Sequence, residues 1–123
     1  MSKVIIAFWL VFLTTLSLAP YDVKLRLGTN GRFHELGHLA IFAVTSVIVC
    51  WAAATARQML PRFLAICCFA ILMEALETAI YRNAYEWRDV GVDVLGAALG
   101  VFCALMRTNY RSTRYSSGTK RTA

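Results

Sequence analysis

The stretch "FLAICCFAILMEALETAIY", residues 63–81, decides how the rest of the chain is read. Its first eleven residues carry no charge, and Glu74 and Glu77 then enter three positions apart. A run of this length suits a helix that crosses the hydrocarbon core, for which about 20 apolar residues are needed. Yet an acid at mid-membrane costs about 2.5–3.5 kcal/mol, and less toward the interface. Residues three apart share a helix face, so both acids look the same way. Glu74 is followed by Ala75, Leu76, Ala79 and Ile80, which keeps it inside the apolar slab, where it needs a partner or water. Glu77 fits the wetted end of the same helix. The stretch therefore predicts a membrane helix with polar function at one end.

Three similar blocks flank it, at residues 4–19, 36–56 and 90–106, beside the central block at 63–80. Apolar residues make up 59% of the 123 positions and charged ones 16%, too little charge for the surface of a soluble domain this small. Lipid forces each segment to satisfy its own backbone hydrogen bonds, and no alternating pattern suggests a barrel. The expected fold is all-α, a membrane-embedded bundle of four transmembrane helices over residues 1–106. A polar, basic tail at residues 107–123 is expected to be disordered. The first block has the outline of a secretory signal, with Lys3 before the apolar run and Ser17-Leu18-Ala19 after it. Pro20, directly after that triplet, opposes cleavage, so the block is read as a retained span. Cys50, Cys67, Cys68 and Cys103 all lie inside apolar blocks, with no zinc-ribbon spacing, and read as small hydrophobes.

Four spans put both termini on one side. That side holds Lys3, Arg57, Arg62, Arg107, Arg111, Arg114, Lys120 and Arg121; the other holds Lys24, Arg26, Arg32, Arg82 and Arg88. The excess of cations places both termini in the cytoplasm. The basic tail suits anionic headgroups better than nucleic acid. All seven acids then fall in or beside the two outer loops.

Among them, Glu74 and Asp93 share a depth with His38 on three different helices. A bundle that joins them has a polar pocket facing outward, with Glu77, Arg82, Arg88 and Asp89 as further candidates. Either arginine could pair with Asp93, or receive an anionic or phosphate group. Below Asp93, Gly96 and Gly100 form a G-x-x-x-G face, read as close packing against another span of the same chain. Tyr85 and Trp87 read as interface anchors.

The second block opens with "HELGH", His34 to His38, an H-E-x-x-H motif. On a helix this spacing offers two imidazoles to a zinc ion, with Glu35 as the base of a metalloprotease. The third ligand would be Glu74, Glu77 or Asp93. The motif sits at the start of the span, where His34 and Glu35 fit a loop equally well, and the chain leaves little to hold a peptide substrate. The zinc-dependent hydrolase therefore ranks second to a binding role; no catalytic residue and no cofactor are assigned. Buried acids beside a histidine also suit a transporter subunit that relays protons or cations. The same groups could equally join helix to helix in a non-catalytic membrane scaffold.

Four segments, in order, carry a resemblance. "LAPYD" (residues 18–22) follows the first span with a proline. "HELGHLAIF" (34–42) holds His38 and, four residues on, Phe42. "MEALETAIYR" (73–82) holds Glu74, Glu77 and Arg82, and "EWRDVGVDVLGAALG" (86–100) holds Asp89, Asp93, Gly96 and Gly100. Together they resemble the VanZ-like family of small bacterial membrane proteins over residues 18–101. The chain departs from the family's pattern at His34 and Glu35, where relatives have an acidic-basic pair, and at Glu77, where glutamine is usual. The family's namesake is linked to low-level resistance to the glycopeptide teicoplanin. The resemblance implies a multi-pass protein of the bacterial cell envelope, in the inner membrane; with the outward-facing pocket, the expected role is to bind a polar lipid headgroup or cell-wall precursor, or to influence glycopeptide sensitivity. The resemblance names no reaction.

Overall fold

Thr55 divides the middle of the chain. Its backbone is extended, at φ −138° and ψ 154°, and its hydroxyl accepts the Gln58 N–H at 3.4 Å, which caps the helix that follows. In the computed structural model, which describes residues 3–26, 34–51, 53, 55–82 and 84–118, five helices and no strand occur among the described residues. They are α1 (Lys3–Ser17), α2 (Tyr21–Arg26), α3 (His34–Cys50), α4 (Ala56–Tyr81) and α5 (Trp87–Gly118). Side chains are not described at residues 21, 24, 25 and 111–118.

The boundaries differ from the apolar blocks in three places. The block expected to run to residue 56 breaks at Cys50, because the Thr55 cap starts α4 at Ala56. Arg57 and Arg62, expected in a loop, thus lie in the first two turns of α4. The short α2 follows Pro20, whose carbonyl accepts the Val23 N–H at 2.9 Å. At the far end α5 continues to Gly118, so residues 107–118 of the expected disordered tail are helical backbone. Lys120 and Arg121 of that tail, and Arg32, lie outside the described residues. Helix α4 ends on Arg82 in the left-handed conformation, φ 55°.

Side-chain contacts show that the four long helices alternate in direction. At one end the close of α1 meets the close of α4, through Tyr81 Oη donating to the Leu18 carbonyl at 2.9 Å. There too the start of α3 meets the start of α5, through His34 and Asp89. At the other end Arg62 of α4 donates to the Val49 carbonyl and Arg107 of α5 to the Trp51 carbonyl, both at 3.3 Å. These cations suit the carbonyl-rich end of α3. Arg107 also lies over the Trp51 ring, 3.5 Å from its centroid.

Helices α3 and α5 run parallel and form the largest interface, with α4 antiparallel beside both. Glycine makes it close. A Cβ built on Gly96 would collide with the Leu39 carbonyl oxygen, and one on Gly100 with that of Ala43. So the G-x-x-x-G face packs backbone to backbone against α3. Two small apolar clusters fill the rest, Phe42, Ile66, Ala70 and Ala97 toward the first end and Cys50, Ala53, Met59 and Ala104 toward the second. Helix α1 lies at the edge, held by Trp9 Nε1 donating to Thr45 Oγ1 at 3.0 Å.

Several polar side chains lie inside the bundle while many large apolar ones lie on its surface. Thr45, Ser46, Asp89 and Asp93 are buried, while Phe8 is 76% exposed, Leu72 53% and Phe102 59%. Large apolar faces of this kind fit lipid rather than water. Two helices, α4 and the Trp87–Tyr110 part of α5, are long and apolar enough to cross a membrane. The apolar α1 and α3 have 15 and 17 residues, short of the about 20 that a straight crossing needs.

Candidate functional site

The site grows out of the parallel register of α3 and α5. His34 and His38 stand one turn apart on α3, and Asp89 and Asp93 one turn apart on α5. The helices pair at the same offset twice. His34 Nε2 lies 3.1 Å from Asp89 Oδ2, and His38 Nδ1 lies 2.8 Å from Asp93 Oδ1. With the carboxylates ionised, the ring N–H donates in each pair. The two imidazoles meet edge to face, 4.5 Å between centroids. Both aspartates are buried, and each histidine is partly open. The result is a ladder of two His–Asp rungs across the top of the interface that Gly96 and Gly100 hold close.

Helix α4 brings its acids to the same end. Glu74 Oε1 accepts the Glu86 backbone N–H at 2.9 Å and so ties α4 to the segment that enters α5. Glu77 Oε2 receives a long hydrogen bond from Ser17 Oγ of α1, at 3.5 Å. Between α1, α3 and α4 lies a cavity of about 400 Å³. Its apolar wall includes Leu13, Leu16, Ile41, Phe42, Phe69 and Met73; its polar part is Ser17, His34, His38, Glu74, Glu77 and Asp93. A size of about 300–1,000 Å³ is usual for a small-ligand site.

Of the sequence-derived candidates, His38, Glu74, Glu77 and Asp93 therefore line one cavity, and Asp89 stands behind it on His34. Arg82 and Arg88 do not line it. Arg88 Nη2 instead meets Glu35 Oε1 at 2.8 Å on the exposed rim, with the two side chains 78% and 47% exposed. The expected Asp93–arginine pair is replaced by Asp93–His38, because Asp93 faces α3 from within the buried interface while Arg88, five residues earlier, lies on the exposed rim and is taken up by Glu35. Arg82 is exposed and serves as the end of α4. Trp87 is exposed and packs against Tyr85, 4.6 Å between ring centroids.

His34 and Glu35 are helical, in the first turn of α3, rather than loop residues. Ligand atoms of His34, His38 and Asp89 all lie within 4.8 Å of one another. Among the described residues the carboxylate grouped with both histidines is Asp89, a residue that the H-E-x-x-H reading did not put forward beside Glu74, Glu77 and Asp93. The reason is register: Asp89 sits opposite His34, whereas Asp93 is committed to His38 Nδ1.

The contributions of α1 are not apparent from the sequence. Leu13, Leu16 and Ser17 close the cavity, and Trp9 holds α1 to Thr45. The adjacent Thr45 and Ser46 in an otherwise apolar block were the available signal, since buried hydroxyls in a span tend to mark helix contacts. Compared with known protein families, with characterised proteins and with solved structures, the chain has no match.

Proposed function

We propose that the chain is a four-span membrane protein whose outer-end cavity binds an amphiphile by a polar head that is cationic or neutral. The observation that carries this reading is the lining of the cavity. Among the described residues it has an apolar wall beside a polar end with three carboxylates, two imidazoles and no lysine or arginine. A carboxylate-rich cleft with low-dielectric walls focuses a negative potential. That favours an ammonium or hydroxyl-rich head and opposes the phosphate that Arg82 and Arg88 were expected to receive. The apolar wall would hold the first part of a chain entering between α1 and α4.

Binding is favoured over peptide hydrolysis. Glu35, the residue that a zinc protease would use as base, is engaged with Arg88 on the solvent side of α3. The wider reading, a VanZ-like protein of the bacterial cytoplasmic membrane with both termini inside, rests on the four ordered segments and the asymmetry of basic residues.

The test compares two amphiphiles with the same tail, dodecyltrimethylammonium and dodecyl phosphate, offered to the purified protein in a neutral detergent and counted by native mass spectrometry. The wild-type chain should retain the ammonium compound about tenfold better, a difference of about 1.4 kcal/mol. Glu74→Gln with Glu77→Gln should erase the preference. Equal or better retention of the phosphate by the wild type would defeat the proposal.

A further inference from the structure

The two His–Asp rungs, at the polar end of the same cavity, have the donor set of a metal centre. We infer that His34, His38 and Asp89 bind a divalent transition-metal ion, with Asp93 as the group that orients His38.

The geometry is closest to a bound site at His34 and Asp89. In a tetrahedral site with bonds of about 2.0 Å, neighbouring ligand atoms stand about 3.3 Å apart. His34 Nε2 and Asp89 Oδ2 are 3.1 Å apart, so an ion can be seated by both with little movement. His38 gives its Nδ1 to Asp93 at 2.8 Å, which leaves Nε2 as the nitrogen for the ion. A carboxylate on the far nitrogen of a metal-bound histidine is the usual means of fixing ring orientation and raising basicity. One ligand atom from each of His34, His38 and Asp89 lies within 4.8 Å of the others, so a side-chain adjustment at His38 would bring the third ligand to the about 3.3 Å spacing. Asp89 is buried and comes from the neighbouring helix, so the ion would bridge α3 and α5.

Two imidazoles and one carboxylate suit Zn²⁺, Co²⁺ or Fe²⁺ and disfavour Mg²⁺ and Ca²⁺, which take mainly oxygen ligands. Three protein ligands leave a fourth position. Both histidines line the cavity, so that position faces it. The ligand set is one that zinc hydrolases also use; what distinguishes this arrangement is that Glu35, the motif's base, is turned to Arg88 on the exposed rim. An ion here would cancel negative charge at the polar end of the cavity, and so would compete with a cationic head.

Cobalt is the probe. The full chain in neutral detergent is titrated with Co²⁺, and the visible d–d absorption is followed. The expected result is one ion per chain, with a tetrahedral or five-coordinate spectrum, displacement by Zn²⁺, and no thiolate charge-transfer band from the four cysteines. His34→Ala and Asp89→Asn should abolish the signal while elution volume and helicity stay as in the wild type. Asp93→Asn should weaken binding by about 10- to 100-fold. Glu35→Gln should leave it unchanged. A folded wild-type chain that takes up no stoichiometric Co²⁺ overturns the inference, as does binding that survives both His34→Ala and Asp89→Asn.

Discussion

Alanine at four glycines should separate into two opposite outcomes. Gly96 and Gly100 face α3, and Gly37 and Gly91 face open space, with nothing within 4 Å of an added Cβ. At Gly100 the new carbon would stand 2.7 Å from Ser46 Cβ and 3.0 Å from the Ala43 carbonyl carbon. At Gly96 it would stand 3.1 Å from Leu39 Cα. Comfortable carbon contacts begin at about 3.5 Å, so α3 and α5 must part by roughly 1 Å at Gly100 and somewhat less at Gly96. The obstacles are backbone atoms and the Cβ of Ser46, which is fixed to its backbone, so none can rotate away. Overpacking of this kind costs about 1–3 kcal/mol at each site. The same movement would lengthen and weaken the 2.8 Å His38–Asp93 bond, because Asp93 lies one turn from Gly96. Gly37→Ala and Gly91→Ala should instead gain about 0.5–1 kcal/mol, since helical glycine is disfavoured. Reversible unfolding in mixed micelles, read by circular dichroism, gives all four values. If Gly96→Ala and Gly100→Ala were as stable as Gly37→Ala and Gly91→Ala, the close α3–α5 interface would be refuted.

Trp9→Phe should loosen α1 from the bundle by about 0.6–1.7 kcal/mol, the range for interhelical hydrogen bonds in membranes, and faster proteolysis after α1 would report it. Breaking the rim pair with Arg88→Ala or Glu35→Gln should shift stability by less than about 1 kcal/mol in the same unfolding assay, because both partners are exposed.

The helical class followed from the stretch at residues 63–81 and its apolar neighbours, because lipid leaves the backbone few choices. The joining of His38 with Asp93, and of both with Glu74 in one cavity, followed from depth alone: a charged group deep in an apolar span has to find a polar one at its own level. Facing direction was harder to obtain. Nothing in the spacing says that α3 and α5 pair with an offset that sets Asp89 against His34, since register is fixed by Gly96 and Gly100 meeting Leu39 and Ala43. The arginines misled for a related reason. Arg88 is adjacent in sequence to Asp89, but successive helix positions differ by about 100°, so Asp89 meets His34 inside the α3–α5 interface while Arg88 reaches Glu35 of α3 along the exposed rim. The end of α3 was also hidden, because an apolar run gives no sign of a break until the capping role of Thr55 is seen.

Side-specific labelling tests the alternating bundle most directly. In a chain with its four native cysteines replaced by alanine, Glu35→Cys and Glu86→Cys mark the cavity end, and Gln58→Cys and Asn109→Cys the opposite end. A membrane-impermeant maleimide applied to intact bacterial cells should label the first two at once and the last two only after permeabilisation. Phe102→Cys, on the outward apolar face, should stay unlabelled in both conditions. Labelling of Glu35→Cys and Gln58→Cys from the same side, or of Phe102→Cys as fast as Glu35→Cys, would contradict a bundle that crosses the membrane with its polar site at one face.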